Sequence, residues 1–363
     1  MCGIAGYLGR TPNPIICLNK MAEAINHRGP DNSGNWVDES EGIGFAHSRL
    51  SILDLSSAGH QPMHSVSQNF VMIFNGEIYN HSALRSELDS INQRNWYGHS
   101  DTETLLAAIE EWGLDRTLKK AKGMFAIALW SKRNKSLYLA CDRVGEKPIY
   151  YGWVNDQFVF ASELKAIKKF PKFNNSIDRS SLALFLRLNS IPAPYSIYKD
   201  IYKVEPGQII RLEAGSKKIE RQNFWSTEKV YDEGNMNQFS FSSSEAVNQL
   251  ESVLSSAVSS QMQSDVPLGA FLSGGIDSST VVALMQSFSN NKVNTFTIGF
   301  NAKEFDEAKH AGMVAKHLGT NHFEKYVTEG DALDVIPNIP YIYDEPFADS
   351  SQIPTYLISK FAR

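Results

Sequence analysis

The sequence predicts two domains of different class in one chain, a mixed α+β domain followed by an α/β domain built on a parallel sheet. Three observations carry this. The 363 residues are long for one hydrophobic core and sufficient for two. Up to about residue 210, apolar runs of strand length are separated by Gly, Asn and Asp. Beyond residue 244, short apolar strands alternate with helical patterns, as in a doubly wound parallel sheet.

In the first part, strands are predicted at Phe70–Phe74, Met124–Trp130, Ser136–Cys141 and Gln157–Ala161. Two helices stand between them. Asn80–Leu88 carries Ala83, Leu84 and Leu88 at helical spacing, and Asp101–Trp112 has an acidic first turn with Leu105, Leu106, Ile109 and Trp112 on one face. Residues 213–243 hold the polar piece Gly215-Ser216-Lys217-Lys218 and an Asn-, Gly- and Ser-rich run from Asp232 to Ser244, so a linker is expected there, between domains at 1–212 and 244–363. The second part then reads helix Ser244–Gln263, strand Pro267–Leu272, a Gly-rich turn at Ser273–Ser279, helix Asp277–Phe288, strand Val293–Gly299 and helix Asp306–Leu318. No internal repeat is visible.

Composition excludes several classes. A net charge of −5 from 35 basic and 40 acidic residues gives no basic face for nucleic acid. The apolar run Gly123–Trp130 is too short to span a membrane, and the first ten residues have no signal-peptide pattern. Cys2, Cys17 and Cys141 form neither a disulfide framework nor a CxxC pair, so a reducing, cytoplasmic setting is expected.

Chemistry concentrates at two places. Cys2 follows the initiator Met, and a small second residue permits Met removal. The mature chain would then begin with a thiol and a free α-amine on one residue, the amine serving as base for its own side chain. Position alone is equally compatible with a small buried hydrophobe. In Asn75-Gly76-Glu77-Ile78-Tyr79-Asn80, an Asn amide beside a Gly N–H suits an oxyanion hole, or else an ordinary strand-to-helix turn. Arg49 suits a carboxylate through paired hydrogen bonds, or a surface ion pair. Asp101 suits a substrate ammonium, or a helix cap.

The second place is Ser273-Gly274-Gly275-Ile276-Asp277-Ser278-Ser279, between a strand and a helix. Glycines let backbone N–H groups converge on phosphate oxygens at a helix N-terminus, and Asp277 could hold a Mg2+ ion. The Lys of a Walker loop is missing, so the loop is of another kind.

Taken in order, Cys2-Gly3-Ile4, His27-Arg28-Gly29-Pro30-Asp31, Arg49-Leu50-Ser51-Ile52, Asn75 to Asn80, Ser100-Asp101-Thr102-Glu103, Gly123 to Ala126, Asp142 to Pro148 and Phe160 to Glu163 resemble a class II glutamine amidotransferase. More narrowly, they resemble the glutamine-hydrolysing asparagine synthetase family. The resemblance implies an N-terminal-nucleophile hydrolase, an αββα sandwich with two antiparallel sheets between helical layers. It implies Cys2 as nucleophile, Asn75 and Gly76 as oxyanion hole, Arg49 on the glutamine carboxylate, and Glu77 and Asp101 on its amino group. The SGGxDS loop resembles that of the ATP-pyrophosphatase superfamily. There Ser273, Gly274, Gly275, Asp277 and Ser278 would bind ATP, and Leu272 and Ile298 match positions against adenosine. ATP and Mg2+ are thus the implied cofactors, and glutamine and aspartate the substrates. A homodimer and an internal ammonia tunnel are further implied.

The pattern departs from the family in two respects. A second ATP loop and a helical region with a catalytic Lys are expected after the position of Arg363, and this sequence does not contain them. The segment Tyr343 to Tyr356 (YDEPFADSSQIPTY) resembles a bacterial branch that includes enzymes of surface-polysaccharide amidation. A sugar acid is therefore an alternative acceptor. A non-catalytic protein that binds glutamine or nucleotide is the alternative of another class.

Overall fold

Strand β1 (Gly3–Leu8) is buried along its whole length and seeds the first sheet of the computed structural model, which describes residues 1–300 and 306–363. Chain order continues with α1 (Pro14–Ala24), β2 (Asn32–Asp38), β3 (Ile43–Arg49), β4 (Met63–His64), β5 (Phe70–Ile78), α2 (His81–Ile91), α3 (Asp101–Trp112) and α4 (Leu114–Lys120). Next come β6 (Gly123–Ser131), β7 (Ser136–Cys141), β8 (Tyr150–Val154), β9 (Gln157–Ala161), α5 (Leu164–Ile167), α6 (Arg179–Leu188), β10 (Ile201–Lys203), β11 (Gln208–Glu213), β12 (Glu220–Asn223) and α7 (Thr227–Met236). These belong to the first of two units, Met1–Gln238 with Asp344–Pro346.

Two six-stranded sheets form, in the orders β10-β8-β9-β1-β3-β2 and β12-β11-β7-β6-β5-β4. Every pairing in them is antiparallel. The period of two sorts side chains into layers. Ile4, Phe45, Phe158 and Phe160 of one sheet meet Val71, Ile73, Ala126, Ala128 and Trp130 of the other in a shared core. On the opposite face of the first sheet, Ala5, Tyr7 and Ala46 pack on Leu18, Met21 and Ile25 of α1 and the turn after it. On the opposite face of the second, Met72, Phe74, Phe125 and Ile127 pack on Leu84 of α2 and Leu105 and Ile109 of α3. The architecture is the αββα sandwich. It explains why β6 reads as an unbroken apolar run rather than an alternation: both of its faces are covered.

Helix boundaries follow local chemistry. Ser100 caps α3 by accepting from Glu103 N, and Asp178 caps α6 by accepting from Ser180 N and Ser181 N. The stretch 213–243, expected as a linker, carries regular structure. Gly215 (φ 79°) lies between β11 and β12, which pair antiparallel, and Ser226 caps α7. Strand β12 reads Glu-Arg-Gln-Asn and is exposed throughout, so it offers no apolar alternation to reveal it.

The second unit, Phe239–Tyr343 with Phe347–Arg363, contains α8 (Ser243–Gln261), β13 (Gly269–Phe271), α9 (Ile276–Phe288), β14 (Asn294–Phe300), α10 (Ala308–Leu318), β15 (Asn321–Val327), α11 (Glu329–Val335), α12 (Ile339–Ile342) and α13 (Gln352–Ala362). Strands β13, β14 and β15 pair in parallel. Leu272, Val282, Ala311 and Ala315 form a core between the sheet and helices α9 and α10. A Ser242–Glu245 capping box starts α8, and Gly319 (φ 75°) ends α10. Among the described residues no helix is long and apolar enough to cross a membrane.

Phe45 is fully buried between the sheets and meets Phe160 edge-on at 5.8 Å. Phe45→Ala is expected to destabilise the first unit by about 3–5 kcal/mol. Val66→Ala, at an exposed position, should cost less than about 0.5 kcal/mol. Urea unfolding of the full chain measures both.

Candidate active site

The sandwich brings the ends of several elements together. Gly3 pairs with Ser48 at the end of the β1–β3 ladder, so Cys2 lies one step beyond it, level with Arg49 at the end of β3. Cys2, Arg49, Gly76, Glu77 and Asp101 line one cleft, with Leu50, Ile52, Leu53, Gly59, Gln61, Phe74, Ser100 and Thr102. Asn75 is beside it in β5 but does not line it. Its amide is fully buried, and neither its nitrogen nor its oxygen has a hydrogen-bond partner among the described residues. Such a group carries a desolvation cost until something binds it.

The thiol of Cys2 accepts from Leu50 N–H at 3.4 Å. Burial pushes the thiol up, and the carboxylates of Asp101 and Glu77 push the same way, while the Leu50 contact and the terminal amine oppose them. This thiol therefore needs a base to become a nucleophile. The Cys2 carbonyl accepts from Arg28 Nε at 2.9 Å, and Arg28 Nη1 is in turn held by Glu163 at 2.7 Å. Cys2 is thus fixed through both its thiol and its carbonyl.

Arg49 is no surface ion pair. It is buried, and its guanidinium donates to the carbonyls of Ser56 (2.9 Å) and Asp54. The Asp54 carboxylate shapes this loop by accepting from Ser56 N (3.1 Å) and His99 N (2.8 Å). An added Cβ at Gly59 would lie 2.0 Å from Arg49 Nη2, so a side chain there would push the guanidinium out of its place. Gln61 joins strand to helix, accepting from Phe74 N (2.6 Å) and donating to Thr102 Oγ1 (3.3 Å). Sequence reasoning missed Gln61, Gly59 and Asp54. None sits in a run whose composition marks a site, and only the fold places Gln61 and Gly59 at the cleft and Asp54 against Arg49.

Asp101 is not the cap of α3, since Ser100 takes that role. Its carboxylate instead accepts from Ile78 N at 2.8 Å. Nor is the Asn75–Asn80 motif a turn throughout: Asn75, Gly76 and Glu77 remain within β5. Gly76 must stay small, because an added Cβ would lie 2.1 Å from the carbonyl of Met124 on β6. Burial raises the pKa of both Glu77 and Asp101 above the ordinary carboxylate range, and repulsion from Asp101 adds to this for Glu77. Neither forms an ion pair among the described residues. Two acids and one guanidinium in a cleft are complementary to a zwitterion.

In the second unit Ser273, Gly274 and Gly275 lie in the loop between β13 and α9, and Ile276–Ser279 form the first turn of α9. Gly274 has φ +80°, and an added Cβ would lie 2.7 Å from Ala311 N, so conformation and space both call for glycine. The hydroxyls of Ser273 and Ser278 are 2.9 Å apart, Gly275 N donates to Ser273 Oγ at 3.3 Å, and Gly275 precedes α9 without a side-chain cap. The first N–H groups of α9 are thus available to an anion. Leu272 is buried with Val282 and Ala311, and Ile298 is buried in β14, so both serve the core of this unit. Asp277 is exposed in the first turn of α9. Among the described residues no three His, Cys, Asp or Glu side chains cluster as metal ligands, so Asp277 stands as a single carboxylate.

Comparison with known proteins agrees with this division. The glutamine amidotransferase domain family matches residues 1–225, and the asparagine synthase family matches residues 249–363. A Methanocaldococcus jannaschii protein named "Putative asparagine synthetase (glutamine-hydrolyzing) 2" is 36% identical over 100% of this chain and 72% of its own length. Asparagine synthetase (glutamine-hydrolyzing) 1 of Bacillus subtilis is 34% identical over 100% of this chain and 56% of its own. The chain thus spans 56–72% of the length of these curated relatives. Among solved structures, glutamine phosphoribosylpyrophosphate amidotransferase from B. subtilis with ADP and GMP aligns at a TM-score of 0.46 and 16% identity, over 89% of this chain and 65% of that one.

The raised acids make a signed prediction. A carboxyl whose folded titration lies above its unfolded one stabilises the fold while protonated, and this is lost as pH rises through the folded value. Glu77→Gln removes one such acid and the repulsion on Asp101. Its melting temperature is expected to exceed that of the wild type at pH 8, by roughly 1–4 °C. The difference should vanish as pH falls into the ordinary carboxylate range, which a thermal-shift series across pH measures.

Proposed function

Because the chain belongs to the glutamine-hydrolysing asparagine synthetase family, we propose that its first unit hydrolyses glutamine to glutamate and ammonia, and that its second unit takes part in the ATP-dependent amidation of a carboxylate. Aspartate is the acceptor that the names of the relatives suggest. The observation that carries the glutaminase reading is the cleft itself, where Cys2 shares walls with Arg49, Glu77 and Asp101. A free amino acid has one carboxylate and one ammonium, and the cleft offers one guanidinium and two acids. Glutamine's ammonium would restore the two acids to their charged form, so binding and ionisation reinforce each other.

In this reading Met1 is removed and the α-amine of Cys2 takes the thiol proton. The thiolate attacks the carboxamide carbon of glutamine. Negative charge on the carboxamide oxygen is met by the Asn75 amide and the Gly76 N–H, and the unpartnered, fully buried state of that amide supports the assignment. The C–N bond breaks, the nitrogen takes the proton from the α-amine, and ammonia leaves. Water, deprotonated by the same amine, then cleaves the thioester to give glutamate and restores the thiol. Arg49 holds the substrate carboxylate, with donors fixed by the carbonyls of Ser56 and Asp54.

For the second unit, Ser273, Gly274, Gly275 and Ser278 would hold the phosphates of ATP at the start of α9, with Leu272 and Ile298 beneath the nucleoside. Asp277 fits Mg2+ only as one of its ligands, with phosphate oxygens and water as the others, because magnesium sites commonly take one or two carboxylates together with substrate phosphates. Acyl activation at this loop would release pyrophosphate and provide the carbon that ammonia attacks.

Glutamate release from glutamine by the mature chain tests the first half. Cys2→Ala is expected to lower it by at least about a thousandfold, with binding of glutamine retained. Arg49→Lys should raise KM by about tenfold or more through loss of the paired donors. Equal release by wild type and Cys2→Ala would overturn the reading.

A further inference from the structure

The motif Asp142-Arg143-Val144-Gly145-Glu146-Lys147-Pro148 has no place in the reaction described above, yet it is built with unusual economy. The Asp142 carboxylate, fully buried, accepts five backbone N–H groups: Phe125 (3.1 Å), Val144 (3.1 Å), Gly145 (2.8 Å), Glu146 (3.0 Å) and Lys147 (3.0 Å). Gly145 (φ 76°) supplies the left-handed turn, and the Lys147 carbonyl accepts from the Cys141 thiol at 3.4 Å. One carboxylate thus ties this loop to β6 and fixes where Lys147 leaves the backbone.

Lys147 is only 5% exposed. Its ammonium donates to the thioether of Met1 at 2.9 Å and has no other hydrogen-bond acceptor among the described residues. A buried ammonium resting on a thioether is poorly satisfied for structural purposes alone. Moreover, its partner is the residue that maturation removes. Next to it in the chain, the Cys2 carbonyl accepts from Arg28 Nε at 2.9 Å. Two fixed cations therefore stand beside the start of the chain.

We infer that Lys147 is a positioning residue for the nucleophile: its ammonium, seated by the Asp142 loop and acting with Arg28, holds the α-amine of mature Cys2 in the free-base form. This rests on the proposed glutaminase reading, where the amine is the base. The charged and titratable groups around the terminus are the Cys2 thiol, Arg28 after α1, Glu77 on β5, Asp101 on α3 and Lys147. Glu146, Asp142 and Tyr79 face Lys147 or Glu77. The two cations disfavour a third positive charge beside them, and the thiolate and Glu77 favour it. Burial, Arg28 and Lys147 all lower the terminal amine from its ordinary value of 8.0 in the chain that still carries Met1.

Acetylation of the N-terminal amine across pH, followed by mass spectrometry of the intact chain, reads the amine directly. A Cys2→Ala background keeps the thiol from competing, and it needs no catalytic activity. The half-point is expected below the ordinary amine value. Lys147→Gln should move it up by about one pH unit, and Lys147→Arg should leave it in place. In the chain with Cys2 intact, the acid limb of kcat at saturating glutamine should move up likewise in Lys147→Gln, because bound substrate already pairs with the charged Glu77 and Asp101. An unmoved half-point in Lys147→Gln overturns the inference, and so does an equal shift in Lys147→Arg, which would mark the loop's packing rather than its charge as the cause. Absence of glutamate release in the wild type bears on the glutaminase reading alone, since the acetylation half-point does not depend on turnover.

Discussion

The first site depends on one constraint, the confinement of the chain's first residues. β1 is held between β3 and β9 in the interior of a six-stranded sheet. Few domains bury their N-terminal strand so centrally, since chain ends usually lie loose at the surface. Here the ladder runs up to Gly3, Arg28 takes the Cys2 carbonyl, and Leu50 N–H meets the thiol. A thiol on a frayed terminus could not keep a constant geometry toward the end of β5 and the start of α3. The sandwich makes that geometry a property of two sheets rather than of one mobile residue.

From that constraint the electrostatics follow. The cleft holds an arginine whose donors are set by backbone carbonyls and two acids that burial, with repulsion added at Glu77, keeps from ordinary ionisation. A zwitterionic amino acid would bring a countercharge to each of these groups. The fully buried amide of Asn75, without a partner, adds a second unsatisfied feature, suited to charge that develops only during reaction. Functional sites commonly hold such local departures from the rule that buried polar groups are paired.

Much of this was legible in the sequence, for physical reasons. The cap and acidic first turn of α3 are local chemistry, and the span Asp101–Trp112 coincides with the helix. The strands Ser136–Cys141 and Gln157–Ala161 likewise coincide, because short apolar runs between turn residues have few alternatives. Cys2, Arg49, Gly76, Glu77 and Asp101 do meet in one cleft, although they are spread over about a hundred residues of chain. What the sequence hid was set by tertiary context. β12 has no apolar residue, and only the free edge of β11 makes it a strand. Gln61 and Gly59 become visible only once β5, α3 and Arg49 are in place. Asp101 escaped its capping role because its neighbour Ser100 had already filled it.

The second unit is set by a parallel sheet and a glycine loop whose φ and packing both exclude side chains at Gly274. Its chemistry is separable from the central claim, which concerns residue 2. The most direct measurement is the intact mass of the chain after brief exposure to glutamine and acid quench. The account predicts a chain lacking Met1 and a fraction carrying one glutamyl group, mapped by proteolysis to Cys2 and lost on treatment with hydroxylamine. A chain that releases glutamate while retaining Met1, or that carries the glutamyl group elsewhere, would contradict it.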